Sequence, residues 1–223
     1  MISSYHFGHQ DRRADQMKRV LCFGDSNTWG YDPASQDRFD RDVRWPGVLR
    51  NTIGVGYEVI EEGLNGRTTV WDDPIEGYKC GKDYLIPCLE THRPLDLVII
   101  MLGTNDLKKR FSLSAFDIAQ GIGVLIRIVH QSAAGRVGAA PRVLLLAPPP
   151  VAKLTYFDQM FEGAEAKSQK LGLYYRQVAE EFGCAFLDTA AIILSSDLDG
   201  IHFEAAEHRK LGEAVAQRVV QLI

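Results

Sequence analysis

Leu95-Asp-Leu-Val-Ile-Ile-Met-Leu102 is the stretch whose reading decides the fold. It has the length of a strand, and every residue but Asp96 is apolar. A strand with one face in water alternates apolar and polar positions. A continuous apolar run suits a strand covered on both faces. Four more runs share this character: Arg19–Phe23, Tyr57–Ile60, Arg142–Ala147 and Cys184–Leu187. Helical patterns lie between them, at Trp45–Ile53 and at Tyr84–Thr91. Over Ser114–Ser132 the residues Ala115, Ile118, Ile122, Leu125, Ile126 and Val129 recur at spacings of three and four. Ser114-Ala-Phe-Asp117 opens that stretch as a capping box, with Asp in place of Glu. Further helices are expected over Glu162–Phe182 and Ala205–Leu222. Strands alternating with helices predict an α/β chain, a three-layer α/β/α sandwich around a five-stranded parallel sheet with right-handed crossovers. Of three longer loops, Tyr31–Arg44, Trp71–Lys82 and Pro148–Asp158, the first and third are placed near the carboxyl edge of that sheet, where open α/β sheets bind ligands.

The rest of the composition narrows the class. The chain has 223 residues, 46% hydrophobic and 24% charged, as in a globular domain that needs no staple. Residues 18–223 read as one domain and 1–17 as an N-terminal extension. Twenty-five Lys and Arg against 29 Asp and Glu give a net charge of −4. Nucleic-acid binding domains are more often basic, so no nucleic-acid partner is expected. No stretch approaches 18 apolar residues and the first residues contain no apolar core of a signal peptide, so no membrane association and a cytoplasmic location are expected. Cys22, Cys80, Cys88 and Cys184 form no C-x-x-C pair. They read as free thiols in a reducing compartment, and the spacing of Cys80 and Cys88 does not establish a bond. His6 and His9 read as part of a solvated tail. His92, His130 and His208 have no partner at a recognised metal spacing, so neither a catalytic metal nor a cofactor is expected.

Four segments carry chemistry. In Leu21-Cys-Phe-Gly-Asp-Ser-Asn-Thr-Trp-Gly30 a buried strand ends and Asp25 and Ser26 follow at once. Ser26 would stand on a rigid element at the sheet edge, with a helix N-terminus offered to an anion. Taken alone, Asp25 and Ser26 read first as a helix cap. The second glycine of the G-x-S-x-G elbow is missing, and no phosphate-binding glycine loop occurs. In Asp199-Gly-Ile-His202 the spacing of three lets a carboxylate orient an imidazole, as in the base of a catalytic triad. A locally paired loop histidine is the plainer reading of that segment. In Gly103-Thr-Asn-Asp106 the Asn105 amide could donate to an oxyanion, or simply form an Asx turn. In Gly63-Leu-Asn-Gly66 the backbone N–H of Gly66 could approach a ligand, or Gly66 could serve a turn. Together these segments place a nucleophile, oxyanion donors, an orienting acid and a base at the end of one sheet.

With those residues in hand, the chain resembles the SGNH hydrolases of the GDSL esterase and lipase superfamily. Ser26, Gly66, Asn105 and His202 match the four letters in order, and Asp199 stands at the family's D-x-x-H spacing. Asn27 takes the place of the usual leucine of GDSL. CFGDSNTWGYDP, RWPGVL, EEGLNGRTT, PLDLVIIMLGTND and DGIHF are similar to the bacterial arylesterase and acyltransferase subgroup. The resemblance implies a flavodoxin-like SGNH hydrolase fold and a cofactor-free serine esterase for short-chain or aryl esters, with acyl transfer to alcohols or peroxide. It implies Ser26, Asp199 and His202 as catalytic residues, and Ser26, Gly66 and Asn105 as the oxyanion hole. Asp25, Asn27, Trp29, Thr104, Phe157 and Ile201 are expected to bind substrate, although core packing competes for Trp29 and for the patch around Phe157. Relatives in the subgroup form octamers, so a homo-oligomer with interfaces near Ser26 is expected. Rival readings are a carbohydrate O-acetylesterase on the same scaffold, a non-catalytic binding domain and, more distantly, a nucleotide-binding α/β protein.

Overall fold

A computed structural model describes residues 17–223. The N-terminal extension, with His6 and His9, therefore lies outside the described residues except for Met17. Five strands, β1 (Lys18–Gly24), β2 (Tyr57–Gly63), β3 (Leu97–Met101), β4 (Arg142–Ala147) and β5 (Ala185–Asp188), form one parallel sheet in the order β2-β1-β3-β4-β5. The helices are α1 (Ser26–Trp29), α2 (Trp45–Ile53), α3 (Gly81–His92), α4 (Ala115–Gln131), α5 (Ala164–Ser168), α6 (Leu171–Phe182) and α7 (Ala205–Leu222). This is the flavodoxin-like order, with its topological switch between β1 and β3.

The continuous apolar runs are explained by two cores, one on each face of the sheet. On one face Leu21, Phe23, Val98, Ile100 and Leu145 pack with the apolar stripe of α4 and with Leu171, Tyr175 and Val178 of α6. On the other, Val20, Cys22, Leu97, Ile99 and Leu144 pack with Trp45 and Leu49 of α2 and Leu211, Val215 and Val219 of α7. The capping box of α4 forms as expected: Ser114 Oγ accepts from Asp117 N, and Asp117 accepts from Ser114 N.

Two expectations need correction. The second strand runs on past Ile60 through Glu61 and Glu62 to Gly63. These carboxylates are tolerated in a strand because each has partners: Arg44 and Arg50 for Glu61, and His92 and Tyr84 for Glu62. The helix expected over Glu162–Phe182 is broken at Gln169–Lys170. Ser168 turns its hydroxyl to donate to Glu165 O and to accept from Val151 N, which ties this end of α5 to the β4 exit loop. Smaller shifts of one to three residues affect β1, β3, β5 and α3. All four cysteines are free, with Cys80 and Cys88 buried. No helix among the described residues is long and apolar enough to cross a membrane.

Candidate active site

The switch point brings the four segments together. β1 ends at Gly24, where a Cβ would come within 2.0 Å of Thr28 Oγ1 and 2.8 Å of Met101 O. Only glycine lets the chain turn there beneath the next helix. Asp25 caps α1, its carboxylate accepting from Asn27 N at 3.0 Å. Ser26 follows as the first residue of α1. That helix has four residues, so its macrodipole is small, and the useful donors at this edge are individual N–H groups.

His202 precedes α7 and reaches back across the sheet edge. Its Nε2 lies 2.9 Å from Ser26 Oγ and its Nδ1 lies 2.6 Å from Asp199 Oδ2. The other oxygen of Asp199 accepts from Ile201 N at 2.8 Å and His202 N at 2.9 Å. Asp199 is fully buried. Burial pushes its carboxyl up, but the hydrogen bonds and charge of His202 and the two backbone donors outweigh burial and hold it below the usual range. The imidazole is flanked by rings, Tyr31 at 4.2 Å and Phe157 at 6.1 Å between centroids.

Opposite the imidazole stand the other two segments. Gly66 has φ +81°, a left-handed conformation, and a Cβ there would fall 2.4 Å from Glu76 Oε2. Asn105 donates one amide hydrogen to Arg67 O at 3.2 Å. Its second amide hydrogen is not committed by that bond. Asp106, the next residue, clamps the two loops. Its carboxylate accepts from Thr69 N at 3.0 and 3.1 Å and from Thr69 Oγ1 at 2.5 Å. Burial nevertheless raises Asp106 to about 6. Arg67 adds a second clamp: its Nη1 donates to Gly24 O and to Glu62 O.

Ser26, Gly66, Asn105 and His202 line one cavity of about 160 Å³. Its apolar wall is Tyr31, Phe157, Met160, Phe161 and Ile201, and its polar wall is Asn65, Glu76 and Lys108. Lys108 is buried, paired with Asp73 Oδ2 at 3.3 Å and Glu76 Oε1 at 2.5 Å. Arg110 holds the other oxygen of Asp73 at 2.9 Å. Of the six residues expected to bind substrate, Phe157 and Ile201 line the cavity; Asp25, Asn27, Trp29 and Thr104 do not. Asp25 is spent on its cap, and burial raises it to about 6 against the pull of Asn27 N, His202 and Arg67. Asn27 donates across to Ile201 O at 3.3 Å. Trp29 lies under the Arg38 guanidinium, 4.8 Å from the ring centroid. Thr104 is buried, and its carbonyl accepts from Leu107 N in the turn before Lys108. Sequence reading missed Tyr31, Asn65, Glu76 and Lys108, and named Met160 and Phe161 only as part of the apolar patch around Phe157. Both nitrogens of His202 are engaged, and Glu76 is held by Lys108, so the lining offers no set of open metal ligands.

Comparison with known proteins gives the chain's relatives. The model of the GDSL-like lipase/acylhydrolase family matches residues 22–210. The structure of an aryl esterase from M. smegmatis is 47% identical with a TM-score of 0.89, over 92% of this chain and 100% of that one. A carbohydrate acetylesterase from Sinorhizobium meliloti is 42% identical with a TM-score of 0.88, over 92% and 100%. A carbohydrate acetylesterase family member from the same organism is 37% identical with a TM-score of 0.88, over 92% and 99%. No match was found among curated proteins. The chain belongs to the GDSL-like lipase/acylhydrolase family.

Proposed function

We infer that the protein is a serine esterase that cleaves short-chain or aryl carboxylic esters through an acyl-enzyme. The observation that carries this reading is the unbroken chain from Asp199 through His202 to Ser26, at 2.6 and 2.9 Å, opening on a small cavity. Ser26 Oγ attacks the ester carbonyl and passes its proton to His202 Nε2. Asp199 holds the proton on Nδ1 and stabilises the imidazolium. The N–H groups of Ser26 and Gly66 and the free amide hydrogen of Asn105 hold the oxyanion. As the tetrahedral intermediate collapses, His202 protonates the departing alcohol. Water, deprotonated by the same imidazole, then releases the carboxylic acid and restores Ser26. No cofactor enters this sequence.

A cavity of about 160 Å³ lies below the roughly 300–1,000 Å³ of drug-sized pockets, which supports small acyl groups. The apolar wall limits water at the acyl-enzyme, so alcohols or peroxide compete for the acyl group. A second reading, deacetylation of carbohydrates, is favoured by the polar wall. Asn65, Glu76 and Lys108 there are polar side chains of the kind that hydrogen-bond sugar hydroxyls. The four free thiols support a cytoplasmic setting. Exposed Trp71, Ile75 and Tyr78 on one long loop support a homo-oligomer.

The test is a panel of p-nitrophenyl esters of rising chain length, with and without an alcohol, alongside acetylated sugars. Acetate or butyrate should be turned over fastest, with a transester product when alcohol is present. Equal turnover of long fatty esters, or no transester product, would refute the size and transfer readings respectively. Faster deacetylation of sugars than of aryl esters would establish the second reading.

A further inference from the structure

Three side chains that the proposed reaction does not use meet at the outer edge of the sheet. Cys88 and His92 are four residues apart in the second half of α3 and so share one face of it. Glu62 is the penultimate residue of β2. The Cys88 sulfur, a His92 ring nitrogen and a Glu62 carboxylate oxygen all lie within 4.8 Å of one another. His92 Nε2 is 2.7 Å from Glu62 Oε1, and Tyr84 OH donates to Glu62 Oε2 at 3.2 Å. Cys88 is buried, whereas 23% of the His92 and 19% of the Glu62 side chain is exposed. The cluster is thus open to solvent on one side and closed on the other.

An ion pair accounts for His92 and Glu62, and Cys88 packs in the core on that face of the sheet, yet its sulfur also completes the trio. Sulfur, imidazole nitrogen and carboxylate oxygen together form a donor set of the zinc type; magnesium and calcium take oxygen. With metal–ligand bonds of about 2.0–2.3 Å, tetrahedral ligand atoms stand roughly 3.3–3.8 Å apart. Reaching that spacing requires opening the His92–Glu62 contact by under about 1 Å and drawing in the sulfur by about as much, shifts within reach of side-chain rotation. Charge also balances. Arg67 lies 5.1 Å from the Tyr84 ring centroid and interacts electrostatically with both Glu62 and Cys88. A lone dication would be repelled by that guanidinium. A thiolate and a carboxylate neutralise the dication, so Arg67 faces a set with no net charge.

We propose that Glu62, Cys88 and His92 form a three-ligand site for a zinc-type divalent cation, apart from the Ser26 cavity. This departs from the sequence reading, which gave His92 no metal partner and expected no metal; Glu62 joins Cys88 and His92 only through the packing of α3 beside β2. A bound ion would tie α3 to the strand end that leads into the Gly66 turn.

The experiment titrates metal-free full-length protein with Co²⁺, followed by Zn²⁺ competition. His6→Gln and His9→Gln are present throughout, so that the tail cannot supply imidazoles. One equivalent of cobalt should give a thiolate-to-cobalt charge-transfer band and the intense visible bands of a tetrahedral site, and zinc should remove both. Cys88→Ser should abolish the charge-transfer band. His92→Gln, at a partly exposed position, should weaken binding by more than about a hundredfold, beyond the roughly 10–100-fold typical for loss of an outer-shell partner. Circular dichroism checks that each variant is folded, and ester hydrolysis should persist in both. The proposal is overturned if cobalt is not taken up stoichiometrically, if its spectrum lacks the thiolate band, or if folded His92→Gln binds as the parent does.

Discussion

Asp199→Asn isolates the role of one proton. Asp199 Oδ1 accepts from two backbone donors, Ile201 N and His202 N, at 2.8 and 2.9 Å. In the variant the asparagine oxygen is fixed in that place, because an amide NH₂ cannot accept those hydrogens. Its nitrogen then faces His202 Nδ1, 2.6 Å from Oδ2 in the parent. Two donors cannot share that contact, so Nδ1 gives up its proton and Nε2 takes one. Nε2 then presents N–H to Ser26 Oγ, 2.9 Å away, and cannot receive the serine proton. The backbone bonds survive, so the fold should hold while kcat drops by about 10⁴. That is roughly 5.5 kcal/mol of transition-state stabilisation. The assay is steady-state hydrolysis of p-nitrophenyl acetate, with thermal melting as the control for folding. Activity within tenfold of the parent, or a loss confined to KM, would refute the tautomer argument.

Asn105→Ala should lower kcat by about 10²–10³, or roughly 3–4 kcal/mol, with little change in KM, because its donor acts as charge develops on the oxyanion; a change in KM alone would make it a ground-state contact. His208 is fully buried, accepts from Trp45 N at 3.2 Å, and is pushed down to about 3, first by burial and then by the charges of His202 and Arg44. Its neutral form favours the fold, so this contribution is complete above pH 6.5 and is lost as pH falls toward 3, by roughly 1.4 kcal/mol per pH unit. Asp25 and Asp106, raised to about 6 from 3.8, act with the opposite sign over that span. Denaturant melts of parent and His208→Asn at several pH values should therefore differ in slope below pH 6.5, and parallel curves would contradict the assignment. Light scattering at micromolar concentration should give a multiple of 24.9 kDa, and a mass near that value would rule out the oligomer.

The strands buried on both faces, β1, β3 and β4, were legible because burial on both faces writes itself as an unbroken apolar run. β2 was cut short in the sequence because Glu61 and Glu62 look like solvent residues until Arg44, Arg50, Tyr84 and His92 are placed beside them. The break before α6 has a tertiary cause, the Ser168 bond to Val151, and leaves no mark in local periodicity. Ser26, Gly66, Asn105, Asp199 and His202 were legible because each sits beside a strand end or keeps a fixed local spacing. The polar cavity wall was not. Lys108 and Glu76 are placed there by the long-range pairing of Lys108 with Asp73 and Glu76, and isolated charges on loops read as surface. Asn27 and Trp29 failed as pocket residues for the converse reason: α1 is a single turn, so neighbours of Ser26 in sequence point to Ile201 and Arg38 instead.

The central claim is that His202 activates Ser26 as the nucleophile. The most direct measurement is reaction of the full chain with a fluorophosphonate ester, followed by intact-mass analysis and peptide mapping. The account predicts one adduct per chain, on Ser26, formed in step with loss of esterase activity and greatly slowed in His202→Ala. An adduct on another residue, or full inactivation with Ser26 unmodified, would contradict it.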